Sequence, residues 1–73
     1  MQKRKEEKDL LALLASLYRK AKDYPKAIEV WQRAVVLDPK SDQTHFQLGA
    51  LYDENKNKDK SIEHMKKAIE LNP

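Results

Sequence analysis

The 73-residue chain has no cysteine, so neither disulfides nor thiolate metal sites can brace it, and redox chemistry gives no sign of its compartment. It has one glycine and three prolines, too few breakers for a loop-rich or many-stranded fold. Aromatic residues make up 7%, and no glycine-rich loop is present to cradle a phosphate. No apolar run approaches the roughly 20 residues that a membrane span needs. The basic start Lys3-Arg4-Lys5 leads into amphipathic sequence rather than a signal-type apolar core, so a cytoplasmic protein is the default expectation. Neither sign of charge dominates. The net charge is +3 with 37% charged residues, and residues 1–8, with four bases and two acids, supply +2 of it. The remainder alternates in sign, which describes a solvated helical surface and not the sustained basic face of a nucleic-acid binder.

What the chain does have is helix formers, chiefly Ala, Leu, Lys and Glu. Apolar residues recur at helical spacing in four stripes: Leu10, Leu14, Leu17 and Ala21, flanked by Leu11 and Tyr18; Ala27, Ile28, Trp31, Ala34 and Val35; Phe46 or His45 with Leu48, Gly49, Leu51 and Tyr52; and Ile62, Met65, Ala68 and Ile69. No segment alternates with period two for long enough to make a strand. The breakers fall between the stripes: Asp23-Tyr24-Pro25, with Asp23 as a cap and Pro25 in the first turn; Asp38-Pro39-Lys40-Ser41, with Ser41 or Asp42 capping; and Glu54 to Asp59, with Asn57 or Asp59 capping. Four helices near 7–22, 25–37, 42–55 and 59–71 follow. Short connections make consecutive helices antiparallel. The basic start opposes the helix dipole, so fraying is expected there.

The stripes repeat. Leu11, Leu14, Ala15, Tyr18, Ala27, Trp31, Ala34, Leu37 and Pro39 align without a gap, and at one constant offset, with His45, Leu48, Gly49, Tyr52, Ser61, Met65, Ala68, Leu71 and Pro73. The second copy reads His45-x2-Leu48-Gly49-x2-Tyr52, then Ser61-x3-Met65, then Pro73. The first reads Leu11-x2-Leu14-Ala15-x2-Tyr18, then Ala27-x3-Trp31, then Pro39. This resembles the tetratricopeptide repeat family, whose pattern runs Trp-x2-Leu-Gly-x2-Tyr, Ala-x3-Phe, Pro at a period of 34. The resemblance covers residues 8–73. It implies an all-α fold: an α-solenoid fragment of two antiparallel helix-turn-helix hairpins, with repeats at 8–41 and 42–73 and residues 1–7 as a charged extension of the first helix.

Physical considerations run parallel to the pattern. Gly49 and Ala15, with Ser61 and Ala27 opposite, sit where helices would cross closely; Trp31 and Met65 fill the wedge between them. Leu11 and His45 stand where the family has tryptophan, and Ser61 is expected to back-bond to a carbonyl one turn earlier. Nothing before Lys8 resembles a preceding repeat, so the array is expected to begin there. At the other end the repeat pattern runs out at Pro73, and the array is expected to have no polar capping helix there. Ile62, Met65, Ile69 and Leu71 should therefore be an exposed apolar edge on a domain with fewer than the usual three repeats. The chain is then either a fragment of a longer array or one that covers this edge by self-association.

The resemblance implies a protein–protein interaction module that presents a concave groove to a peptide or helix of a partner. By helical phase the groove set is Asp9, Ala12, Leu13, Ser16, Arg19 and Lys20 from the first repeat, and Gln43, Phe46, Gln47, Ala50, Asp53 and Glu54 from the second. Leu13 and Phe46, apolar but off the main stripes, are the expected anchors. Arg19 and Lys20 face Asp53 and Glu54 in charge and could pair across repeats. One subclass of the family grips a C-terminal carboxylate through cationic and amide donors; the matching positions here are Asp9, Leu13 and Gln47, which rules that activity out. The alternative is structural: self-assembly or domain exchange through the bare edge, giving a homo-oligomer. No catalytic, cofactor or metal site is expected. His45 and His64 fall on different helices, and a metal needs three or four convergent ligands. Ser16, Ser41, Thr44 and Ser61 each have a structural reading. The cluster Lys56, Lys58, Lys60, Lys66 and Lys67 reads as a solvated turn, since Asp59 and Glu63 intervene and no aromatics interleave, so nucleic-acid binding is not expected.

Overall fold

A computed structural model describes residues 2–72, with side chains from Glu6 to Asn72; Pro73, the second of the two aligned prolines, lies outside them. Four helices follow one another: α1 (Gln2–Lys20), α2 (Tyr24–Leu37), α3 (Asp42–Glu54) and α4 (Lys58–Leu71). The sequence places α1 near 7–22, but it begins at Gln2, because nothing from Gln2 to Lys8 breaks a helix and propensity outweighs the adverse dipole of Lys3, Arg4 and Lys5. The other three helices stand within one residue of their expected bounds.

The starts are capped as their residue types require. Oδ1 of Asp23 accepts from the Lys26 N–H at 3.4 Å, Oγ of Ser41 from Thr44 at 3.2 Å, and Oδ1 of Asn57 from Lys60 at 3.4 Å. The ends of α1 and α3 share a feature that composition conceals. Lys22 and Lys56, which occupy the same position in the two copies, both have φ of 64°, the left-handed region that favours glycine. The surrounding bonds form the same motif twice. Asp23 N–H donates to Tyr18 O and Lys22 N–H to Arg19 O; Asn57 N–H donates to Tyr52 O and Lys56 N–H to Asp53 O.

Each helix packs on the next, α1 on α2 and α3 on α4 within the hairpins and α2 on α3 between them. The result is a slab of 35 × 32 × 15 Å, too thin to close a core on every side. Its centre is the α2–α3 junction. Ala27 and Ile28 meet Leu48, Leu51 and Tyr52, and Tyr18, Tyr24, Trp31 and Val35 pack around them. Leu48 and Leu51 are the largest fully buried side chains. Across the junction, Nε2 of Gln32 donates to Oη of Tyr52 at 2.9 Å.

One stripe is not used as its periodicity implies. On α1, Leu11, Ala15 and Tyr18 turn inward, whereas Leu10, Leu14, Leu17 and Ala21 are exposed. A helix with two adjacent apolar faces does not itself say which face finds a partner; α2 covers only one. The crossing at Gly49 is as close as the pattern implies, with Sδ and Cε of Met65 each 3.1 Å from where a Cβ would stand. A Cβ there would approach Cγ of Met65 to 2.9 Å, a flexible side chain and not backbone, and Ala15 occupies the equivalent position fully buried.

The left-handed lysines give a direct test. Lys22→Gly and Lys56→Gly each relieve the Cβ strain while retaining the turn, and each should stabilise the chain by about 0.5–1 kcal/mol, raising Tm by about 2–8 °C. Thermal unfolding followed by circular dichroism measures this; an unchanged or lower Tm in both variants would show that the turns carry no such strain.

Candidate partner-binding groove

The first helices of the two hairpins, α1 and α3, lie side by side with a furrow between them. Ala12, Ser16 and Arg19 of α1 and Gln43 and Gln47 of α3 line a cavity of 270 Å³ there, with Trp31 of α2 as its floor. A second cavity of 230 Å³ continues it past Asp9, Ala12, Gln43 and Ser41, again over Trp31. Small residues at 12, 15 and 16 open the furrow, since nothing longer than a hydroxymethyl group rises from that part of α1. The lining is largely polar: two amides, three hydroxyls, one carboxylate and the cations Lys8 and Arg19 surround an indole. One end is closed by an ion pair between Nη2 of Arg19 and Oε1 of Glu54 at 2.7 Å.

Six of the residues assigned to the groove by helical phase thus border the furrow: Asp9, Ala12, Ser16, Arg19, Gln43 and Gln47. Glu54 reaches it through Arg19. Leu13, Lys20, Phe46, Ala50 and Asp53 do not line it. Leu13 falls at i+3 from Leu10 and i−4 from Leu17, on the exposed leucine face of α1. Phe46 is the second-repeat equivalent of Ala12, so on α3 it faces the side away from α1. Trp31 is what phase alone misses. It belongs to a second helix, and its place in the floor depends on the small residues above it.

Two edges flank the furrow. On the α3–α4 edge Ile62 and Ile69 are exposed, whereas Met65 turns in against Gly49 and Leu71 is half-buried. The larger apolar surface is on the opposite edge, where Leu10, Leu11 and Leu14 of α1 and Val36 and Leu37 of α2 bound a groove of 460 Å³.

Two helical hairpins, joined so that the second helix of one buries the first helix of the next, form one repeating unit used twice. Family comparison reads the same unit: a model described as TPR repeat matches residues 15–56, and one described as tetratricopeptide repeat matches residues 43–73. The chain belongs to the tetratricopeptide repeat family. Among curated proteins none matches it. Tetratricopeptide repeats are in general protein–protein interaction modules, and no helix among the described residues is long and apolar enough to cross a membrane.

The second repeat carries a histidine pair that the first lacks. His45 and His64, which the sequence places on separate helices, meet at 3.2 Å between their Nδ1 atoms. Their rings stack, and His64 also stacks on Tyr52 at 5.5 Å between centroids. His45 is buried and its Nε2 lies 3.2 Å from Pro39 O. A carbonyl only accepts, so Nε2 of His45 carries the proton and its Nδ1 accepts from the Nδ1–H of His64. The equivalent residues of the first repeat are Leu11 and Val30, so two apolar positions become polar in the second. Two imidazole nitrogens do not make a metal site, and no third ligand joins them among the described residues.

Burial holds the His64 pKa below its ordinary 6.5, and neighbouring His45 and Lys60 push the same way against Glu63. A histidine depressed in the folded state binds protons more readily when unfolded. Its stabilising effect is present above pH 6.5 and fades as pH falls through the folded value. Tm should therefore drop between about pH 7.5 and pH 5, a window above the titration of Asp38, whose carboxyl is held low by its bond from Lys8. A His45→Leu, His64→Val double variant, copying the first repeat, should lose most of that dependence; an equally steep decline would place its origin elsewhere.

Proposed function

We propose that this tetratricopeptide repeat protein is a scaffold or adaptor module that holds an extended segment of a partner protein in the α1–α3 furrow, and that it is not an enzyme. The observation that carries this reading is the furrow itself, where Ser16, Gln43 and Gln47 ring the Trp31 floor. Amides and hydroxyls beside an indole can pair with the backbone of a peptide while the indole takes one apolar side chain. The mechanism is passive. The furrow walls are helices already fixed by the α2–α3 core, so little ordering entropy is lost on binding. The anchor role that helical phase gives to Leu13 and Phe46 passes in this reading to Trp31. The repeat units are residues 8–41 and 42–73, with residues 1–7 extending α1.

Peptides selected from a random display library on the immobilised chain supply the test. Ser16→Arg, which puts a long side chain over the furrow from an exposed position, should reduce affinity for such peptides at least about tenfold without lowering Tm. Peptides that bind this variant and the parent equally would place recognition outside the furrow.

A second reading, self-assembly or domain exchange through the α3–α4 edge, is supported by the exposed Ile62 and Ile69.

A further inference from the structure

The repeat supplies an internal control for the two edges. In the second copy the face of α3 that meets α2 is closed: Thr44 is 3% exposed, and Leu48 and Leu51 are 0%. The same positions on α1 are Leu10, Leu14 and Leu17, at 65%, 39% and 57%. The covering surface repeats as well. Ile28, which packs with Leu48 and Leu51, is 7% exposed, and its equivalent Ile62 is 54% exposed. Each edge is thus one half of a junction that the molecule already contains complete.

We propose that the occupant of the exposed α1 face is the α3–α4 edge of a second copy of this chain, stacked head to tail in the geometry of the internal α2–α3 junction. This rests on the self-assembly reading and names the surface that the α3–α4 edge meets.

Carrying each contact of the internal junction forward by one period tests the fit. Ile28 against Leu48 and Leu51 becomes Ile62 against Leu14 and Leu17 of the next copy. Ala12 and Gln47, which share the furrow, become Phe46 and Leu13. Both are more than half exposed, so two apolar side chains off the main stripes find each other. The Gln32 to Tyr52 hydrogen bond becomes Lys66 to Tyr18, again an N–H donor and a phenol oxygen. Most tellingly, the Arg19–Glu54 ion pair becomes Asp53 on one copy and Lys20 on the next. The signs are reversed and still opposite. Neither Lys20 nor Asp53 makes an ion pair among the described residues. Apolar and charged positions fit in one register, which a solvated face has no reason to do. The two surfaces are different patches, so the contact is heterologous and can add copies without closing.

Sedimentation velocity of the 73-residue chain from about 10 µM to about 1 mM reads the assembly. The mean mass is expected to rise with concentration past that of a dimer. Leu17→Glu blocks one edge and Ile69→Glu the other, both at exposed positions, and each variant alone should stay monomeric. Their equimolar mixture should form a one-to-one dimer and stop, because each supplies the edge that the other lacks. Asp53→Lys should weaken association about five- to tenfold at low salt, and adding Lys20→Asp in the same chain should restore it. A parent chain monomeric at about 1 mM would overturn self-assembly altogether. Association that the mixture fails to rescue, or that ignores both charge reversals, would overturn the head-to-tail register and leave self-assembly through another face. Should Leu17→Glu unfold the chain, the charge-reversal pair decides alone.

Discussion

Furrow, edges and stability all trace back to the contact of Ile28 and Trp31 with Leu48 and Leu51. It is the place where two hairpins become one body, and it holds the largest fully buried side chains. A hairpin of two short helices cannot bury an apolar face on both sides, so each repeat needs a neighbour. The α2–α3 junction meets that need once. It fixes α1 beside α3, and so creates the furrow over Trp31. At the two outer edges the equivalent faces stay exposed, with Leu10, Leu14 and Leu17 on α1 and Ile62 and Ile69 on α4. Furrow and bare edges are consequences of the same packing.

The two repeats are alike in backbone and unlike in chemistry. Both first helices end in a left-handed lysine with the same pair of closing bonds. Within that frame Leu11 and Val30 of the first repeat become His45 and His64 of the second, and Ala12 becomes Phe46. The first change puts a hydrogen-bonded histidine pair between α3 and α4 where the first repeat has two apolar residues. The second moves a large apolar side chain to the outer side of α3. Substitution at fixed backbone positions is how a repeat diversifies its surfaces without altering its fold.

Much of this was legible in the sequence, and the misses have identifiable causes. Caps and breakers at Asp23, Ser41 and Asn57 act within a turn of their own residue, so the helix bounds could be read locally. So could the charge match of Arg19 with Glu54, since helical phase places both at the same level of adjacent helices. What local reasoning missed concerns neighbours. Leu10, Leu14 and Leu17 make as good a core stripe as Leu11, Ala15 and Tyr18, and only the position of α2 separates them. Leu13 and Phe46 follow the same rule: phase puts them off the core without saying which side they face. The repeat pattern puts Trp31 in the wedge between helices, and the furrow beside it exists only because Ala12 and Ser16 lie overhead. His45 and His64 meet because α4 folds back on α3, bringing together side chains from two separate helices.

Residue order alone was enough for the elements and their recurrence: four helices, their caps, and a period that makes the second hairpin a copy of the first. Those follow from backbone hydrogen bonding and side-chain spacing, which act over a few residues. It took the packing of the helices to settle which apolar face is core and which is edge, where the furrow lies, and that two histidines share a hydrogen bond. Those depend on which surfaces exclude water from one another, and burial is a property of pairs of helices rather than of any one segment.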